Sequence, residues 1–312
     1  MKKIAFLAVL ALLVGSVVVA CDDGGGVTNG GGDGGGSTPA PAEFRVSNLV
    51  VAPAEVEVGE SVTLRADVEN IGEVGGTYTA TLKINGVEVE TKDIVVAAAD
   101  TEMILFEITE DAPGTYTVSL DGLTATFEVT AVVLFSDNFS DETSGWDVYT
   151  YGGDWAAYEN GWFHISDSIA AGTTHSLAHR NFTDFIIEVD MKLIAGTDDN
   201  WQEVMFRVGD DSYYSASISA DGYYEMQLWW LNGTLDQLVS PTSSSYINQG
   251  QGVVNSVRIE CVGNRLSLSV NGHLLVEVTD NTLNSGDIGL EVNALAGTFS
   301  EVAFDNLVVY AP

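Results

Sequence analysis

Positive charge is the scarcest commodity in this 312-residue chain, with 11 Lys and Arg against 45 Asp and Glu and a formal net charge of −34. Nucleic-acid affinity rests on cations that displace counterions from phosphates, so DNA and RNA are poor partners. An anionic membrane surface is disfavoured for the same reason. Cysteine is nearly absent: two residues cannot build a disulfide framework, a four-thiolate zinc site or an iron–sulfur cluster. Helical periodicity is missing from 132–312, where no stretch longer than one turn repeats apolar residues at three- to four-residue spacing. The one long apolar run is 4–20, interrupted by Gly15 and Ser16. Hydrophobic residues nevertheless make up 46% of the chain, enough to build a core, so the negative charge does not belong to a disordered tail. The length suits about two domains.

Met1-Lys2-Lys3 followed by that apolar run reads as a secretory signal at the short limit for a membrane span. Its end, Val18-Val19-Ala20-Cys21, resembles the bacterial lipobox, which implies cleavage after residue 20 and diacylation of Cys21. Two acyl chains anchor stably where one is marginal. Residues 21–42 then form a linker, with nine glycines in the 21 positions after Cys21. Its root-mean-square reach is roughly 25 Å, and about 70 Å at full stretch. No strand, helix or Gly-Lys-Ser/Thr accompanies these glycines, so they are not a phosphate loop.

Between residues 43 and 131, short alternating runs are separated by turn signals, of which Asn85-Gly86 and Asp121-Gly122 suit two-residue hairpins. Val62, Leu64, Ala66 and Val68 alternate with Thr63, Arg65, Asp67 and Glu69, one face inward and one outward. About seven strands in this length predict an immunoglobulin-like sandwich. The frame running from Val62 to Gly72, then Leu82 to Gly86, then Ala112 to Val118 resembles the CARDB family of cell-adhesion-related domains. That resemblance implies a surface spacer or adhesion module and brings no catalytic residues. The segment agrees, having no His, Cys or Trp.

All six Trp, all four His and nine of eleven Tyr lie beyond residue 134. Recognition, if the chain performs any, is expected in 132–312. The period is again two: Phe185, Ile187, Val189, Met191 and Leu193 share a face, and Val257, Ile259 and Cys261 point inward with them. The fold class is therefore all-β, an Ig-like β-sandwich followed by a jelly-roll β-sandwich. The markers Asp137-Asn-Phe-Ser140, Gly161-Trp-Phe-His-Ile165, Gly263 to Gly272 and Phe304-Asp-Asn-Leu-Val308 resemble the concanavalin A-like lectin/glucanase superfamily in its laminin-G-like and 3-keto-disaccharide-hydrolase-like branch. The resemblance implies a jelly roll that serves as lectin module, spacer or enzyme.

A sugar site in water needs flat rings for C–H faces and amides or carboxylates for hydroxyls. Strand phase places Trp201, Glu203 and Arg207, then Tyr213, then Tyr223, Glu225, Gln227 and Trp229 on one face if three runs stack as a meander. The aromatics would stack, and Glu203, Glu225, Gln227 and Arg207 would bond hydroxyls. An ordinary solvent-facing sheet with cross-strand aromatic pairs explains the same residues. Catalysis is harder to place. The laminarinase-type Glu-x-Asp-x-x-Glu begins at Glu188 and Asp190 but offers Leu193 for its second Glu, so the carboxylate pair is incomplete and no catalytic residue is assigned. His175 and His179 have a four-residue zinc spacing without the glutamate between them, and they read as solvated. Asp198, Asp199 and Asn200, with Asp210 and Asp211, offer oxygen ligands of the kind Ca²⁺ takes, making Ca²⁺ the only cofactor candidate.

The expectation is a lipoprotein, extracytoplasmic and held at the cell surface by its lipid alone. It would display a module for neutral polysaccharide or glycan on an Ig-like stalk. A glycoside-processing enzyme and a purely structural envelope or adhesion protein are the alternatives. Charge is shared between the two folded parts, −13 in 43–131 and −20 in 132–312, as a coat that favours solubility.

Overall fold

A computed structural model describes residues 38–168, 173–295 and 298–312. The secretory signal, Cys21 and most of the linker lie outside the described residues. Those described are all-β.

The first sandwich contains β1 (Phe44–Ala52), β2 (Glu55–Glu57), β3 (Ser61–Asn70), β4 (Gly76–Ile84), β5 (Val87–Val96), β6 (Thr101–Thr109), β7 (Gly114–Leu120) and β8 (Leu123–Thr130). They form a three-stranded sheet, β1-β3-β6, and a five-stranded sheet, β2-β8-β7-β4-β5. Val62, Leu64, Ala66 and Val68 are all buried, as their alternation predicts, against Phe106, Leu82 and Phe127. Asn85-Gly86 and Asp121-Gly122 have positive φ at both positions, which a tight hairpin of matching twist requires.

The Asn-x-Gly frame after β3 has a physical basis. Buried Asn70 accepts from the Glu43 and Gly72 amides and donates to the Val74 and Val96 carbonyls, tying three chain segments together. Gly72 admits the Pro41 carbonyl into space that a Cβ would fill. Residues 40–42, assigned to the linker by composition, are thus pinned to the sandwich, where the Ala40 amide donates to the Glu73 carboxylate and the Glu73 amide to the Ala40 carbonyl. Tyr116 donates to the Ala112 carbonyl at 2.8 Å, closing the corner before β7.

The second sandwich contains β9 (Val133–Asp137), β10 (Tyr149–Tyr151), β11 (Asp154–Glu159), β12 (Trp162–Asp167), β13 (Thr173–Leu177), β14 (Phe185–Gly196), β15 (Trp201–Val208) and β16 (Ser212–Ser219). It continues with β17 (Tyr223–Trp230), β18 (Leu235–Ser243), β19 (Asn255–Val262), β20 (Arg265–Val270), β21 (His273–Thr279), β22 (Asp287–Asn293) and β23 (Ser300–Tyr310). A nine-stranded sheet runs β10-β11-β12-β23-β14-β19-β20-β21, with β9 also on β23. The facing six-stranded sheet runs β13-β22-β15-β16-β17-β18. Between them lie Phe185, Ile187, Val189, Met191 and Leu193 from one sheet and Val204, Phe206, Tyr214, Ile218, Met226 and Leu290 from the other. Cys261 is buried among them as a small apolar group, and burial pushes its thiol up to about 12, so it stays protonated.

Candidate functional site

The meander expected from sequence is present: β15, β16 and β17 are consecutive neighbours, with Glu203 opposite Ser217 and Ser217 opposite Glu225. Because Val204, Phe206, Tyr214, Ala216, Met226 and Leu228 take the core, the other phase forms the outer face. Trp201, Glu203, Tyr213, Tyr223, Glu225, Gln227 and Trp229 are brought together there. Their surroundings differ from a wet sheet.

At one end of this face Trp201 and Tyr223 line a cavity of about 220 Å³ with Asp199, Ser219, Asp221 and Leu295. Tyr223 is 41% exposed, and Trp201 is half-buried. The cavity sits where two turns meet. The Asp221 amide donates to the Asp198 carbonyl at 3.0 Å, holding the turn before β15 against the β16–β17 hairpin. Ser219 donates its hydroxyl to Asp221 and accepts from the Tyr223 amide, which fixes the hairpin. Buried Asn200 organises the opposite wall: its side chain donates to the Phe299 carbonyl and accepts from the Leu295 amide and the Thr298 hydroxyl. Ser219, Asp221 and Leu295 were missed by sequence reasoning. Asp221-Gly222 between two strands is a hairpin signal and could have placed Asp221 beside Trp201; Leu295 follows from tertiary packing alone.

Further along the same face, three carboxylates occupy adjacent strands in one row. Glu291 of β22 is directly opposite Glu203 of β15, which is opposite Ser217 and then Glu225. Glu203 is 1% exposed and Glu291 fully buried. Neither oxygen of Glu203 has a hydrogen-bond partner, and the hydroxyls of Ser215 and Ser217 beside it are also unpaired. Burial, then the charges of Glu291 and Glu225, hold the Glu203 carboxyl well above the ordinary range, against a smaller pull downward from nearby hydroxyls. Burial raises Glu291 to about 7, opposed by Thr173 and Tyr213. Burial also raises Glu225, whose Oε2 accepts from Gln237 at 2.9 Å. Like charges this close in a dry setting cannot all ionise, so the row retains protons near neutrality.

Five of the expected roles are corrected. Arg207 does not face a ligand: a bulge after Phe206 gives it φ of 50°, and its fully buried guanidinium donates to the carbonyls of Thr183 and Leu283 and pairs with Asp184. Tyr213 is buried rather than displayed, its hydroxyl 3.5 Å from Glu291. Glu203 is shut away from any surface hydroxyl, and Glu225 and Gln227, at 4% and 6% exposed, are likewise buried rather than displayed. Trp229 is half-buried with its indole N–H unpaired, and Gln227 donates to Gln237 at 3.3 Å.

The other candidate chemistries disperse. Asp198 and Asp199 precede β15 whereas Asp210 and Asp211 follow it, which at strand rise separates the pairs by about 25 Å. Among the described residues no three His, Cys, Asp or Glu stand close enough to hold a metal. His179 binds Asp147 at 2.9 Å, and His164 binds Glu301 on the other sheet. Glu188 and Asp190 also lie on the nine-stranded sheet, held by Arg258 and Asn306, while Leu193 is core. A cleft of about 770 Å³ where the two sandwiches meet has Glu188 and Arg258 among its lining, already paired with each other.

These features define a jelly-roll sandwich with an aromatic, acidic cavity at one end of its six-stranded sheet. Residues 130–310 match the 3-keto-alpha-glucoside-1,2-lyase-like domain family, and the chain belongs to that family through this domain. No curated protein matches the chain. Among solved structures it resembles the carbohydrate binding module CBM66 from Bacillus subtilis, at 18% identity and TM-score 0.45 over 54% of this chain and 96% of that one. A galectin-like protein of unknown function from Bacillus subtilis gives 14% identity and TM-score 0.44 over 57% and 96%. A CARDB domain from Pyrococcus furiosus gives 20% identity and TM-score 0.25 over 30% of this chain and 96% of that one.

Proposed function

We propose that the jelly-roll domain binds a glycan, with a sugar ring stacked between Trp201 and Tyr223. The cavity these two residues line carries the reading, since exposed aromatic walls beside hydroxyl and carboxylate groups are what a sugar needs. Its volume lies below the ~300–1,000 Å³ of most small-molecule sites and suits a single ring. Family membership supports sugar as the ligand class. In this reading the chain is a lipoprotein acylated at Cys21, displayed outside the cytoplasm on a CARDB-like, Ig-like stalk and anchored by lipid alone. Glycan capture or adhesion is its role. A glycan array with the full chain, repeated with Trp201→Ala/Tyr223→Ala, tests the site: binding that is absent, or unchanged in the double variant, refutes it. Labelled palmitate incorporation abolished by Cys21→Ser tests the anchor.

Glycoside processing is a second reading, favoured by the proton-holding row of Glu291, Glu203 and Glu225 near the cavity. Of the three, Glu225 is the least buried and is held above the ordinary carboxylate range, so it is the group that could donate to a leaving group. Turnover of oligosaccharides or 3-keto-glycosides that is lost in Glu225→Gln at unchanged binding would establish it.

A further inference from the structure

The cavity and the buried carboxylates occupy neighbouring rungs of one sheet face. Trp201 stands two residues before Glu203 on β15, Ser219 two after Ser217 on β16, and Tyr223 two before Glu225 on β17. Along a strand that step is about 7 Å, and both members point the same way. Trp201 is opposite Ser219 as Glu203 is opposite Ser217, and Glu291 of β22 closes the row on the far side of Glu203. Each strand that gives the cavity a wall therefore gives the row a member, and the rings pack in register with the carboxyls beside them.

The row is closed to water and short of partners. Glu203 is 1% exposed with both oxygens unpaired, and the Ser215 and Ser217 hydroxyls and one Glu291 oxygen, all buried, are unpaired too. Among the described residues no Lys or Arg acts on any of the three carboxyls. The titratable groups that face them are Tyr213 of β16, His175 of β13, Tyr149 of β10 and Asp167 of β12, while β18 offers only the Gln237 amide. Of these, His175 alone can turn positive. Protonated carboxyls can lie side by side in such a place, whereas a carboxylate there must find water. Burial raises Glu291 to about 7, so the change falls near neutrality. We propose that the row is a proton latch on the sugar cavity: protonated, it packs closed beside Trp201 and Tyr223; ionised, its side chains turn out toward water and displace the two rings. Glycan is then held in acid and released as the pH rises past neutrality. This rests on the reading of the cavity as a glycan site and adds its regulation.

The test reads the rings directly. Hydroxyl radicals should oxidise Trp201 and Tyr223 of the ligand-free full chain more at pH 8 than at pH 5, relative to Trp162 on the nine-stranded sheet. A glycan array should lose at least about tenfold in signal over the same range. Both changes should shrink in Glu203→Gln and vanish in Glu203→Gln/Glu291→Gln, which keep the side-chain shape and remove titrating groups. His175→Gln should leave both intact. Ring oxidation that is equal at the two pH values, that changes with pH in the double variant, or that stops changing in His175→Gln overturns the latch. So does oxidation of buried Phe206 rising in step with the rings, which would mark global unfolding. Array binding that is equal at both pH values overturns the latch and leaves the glycan site standing. The oxidation change without array binding at either pH overturns the glycan site and leaves the row's hold on the rings.

Discussion

The outer faces of β3 and β15 come from the same kind of sequence and end in opposite surroundings. Both strands alternate apolar with polar residues. On β3, Thr63 and Arg65 reach solvent, and Asp67 and Glu69 are half-exposed. On β15, Gln202, Glu203 and Arg207 are as buried as Val204 and Phe206. Alternation thus reports which phase meets the core. It does not report whether the other phase meets water, because that depends on what neighbouring strands lay across it. On β15 the neighbours supply Tyr213, Glu225 and Glu291, and a polar face becomes a second, partly unsatisfied interior.

Breaking the shared part of the comparison has the largest effect. Phe206→Ala empties a fully buried ring position and should lower jelly-roll stability by about 3–5 kcal/mol in urea denaturation. Arg207→Ala leaves two carbonyls and Asp184 without their donor and should cost about 3 kcal/mol, with glycan binding retained by the protein that remains folded. A binding defect without lost stability would restore Arg207 to the ligand.

The buried row separates the two faces by pH. Glu203 and Glu291 hold protons more tightly folded than unfolded, so folding takes up protons. Their contribution is fully present below about pH 4.5 and is lost as pH rises through the folded value, about 7 for Glu291. Calorimetry should show the jelly-roll transition weakening by on the order of 2–3 kcal/mol between pH 5 and pH 8. Glu203→Gln removes an ionisable group from that row and should raise stability by about 1–2 kcal/mol at pH 8 while changing little at pH 5. Glu69→Gln on the wet face of β3 should stay within about 0.5 kcal/mol at both. Equal responses at Glu69 and Glu203 would erase the distinction.

Much of the fold was legible because β-structure writes a period of two and its turns need particular residues. The inward phase of β3, β14 and β19 and the hairpins at Asn85-Gly86 and Asp121-Gly122 could be read directly. So could the meander that brings Trp201 and Tyr223 to one end of a face. Arg207 was misplaced because it is itself the extra residue of a bulge between Phe206 and Val208, which leaves no mark in the pattern and re-aims the side chain. Tyr213 and Glu203 were placed on the right face with the wrong exposure, since cover comes from β22 and β17, distant in sequence. Asn200, which shapes the cavity wall through Leu295, looked like one more calcium-type oxygen beside Asp198 and Asp199.

The central claim is that a sugar lies on Trp201 and Tyr223. Hydroxyl-radical footprinting of the full chain, with and without a bound glycan, tests it residue by residue. The account predicts protection of Trp201 and Tyr223 with Trp155 and Trp162, on the nine-stranded sheet, unchanged. Protection at Trp155 and Trp162 with Trp201 and Tyr223 still oxidised would contradict it.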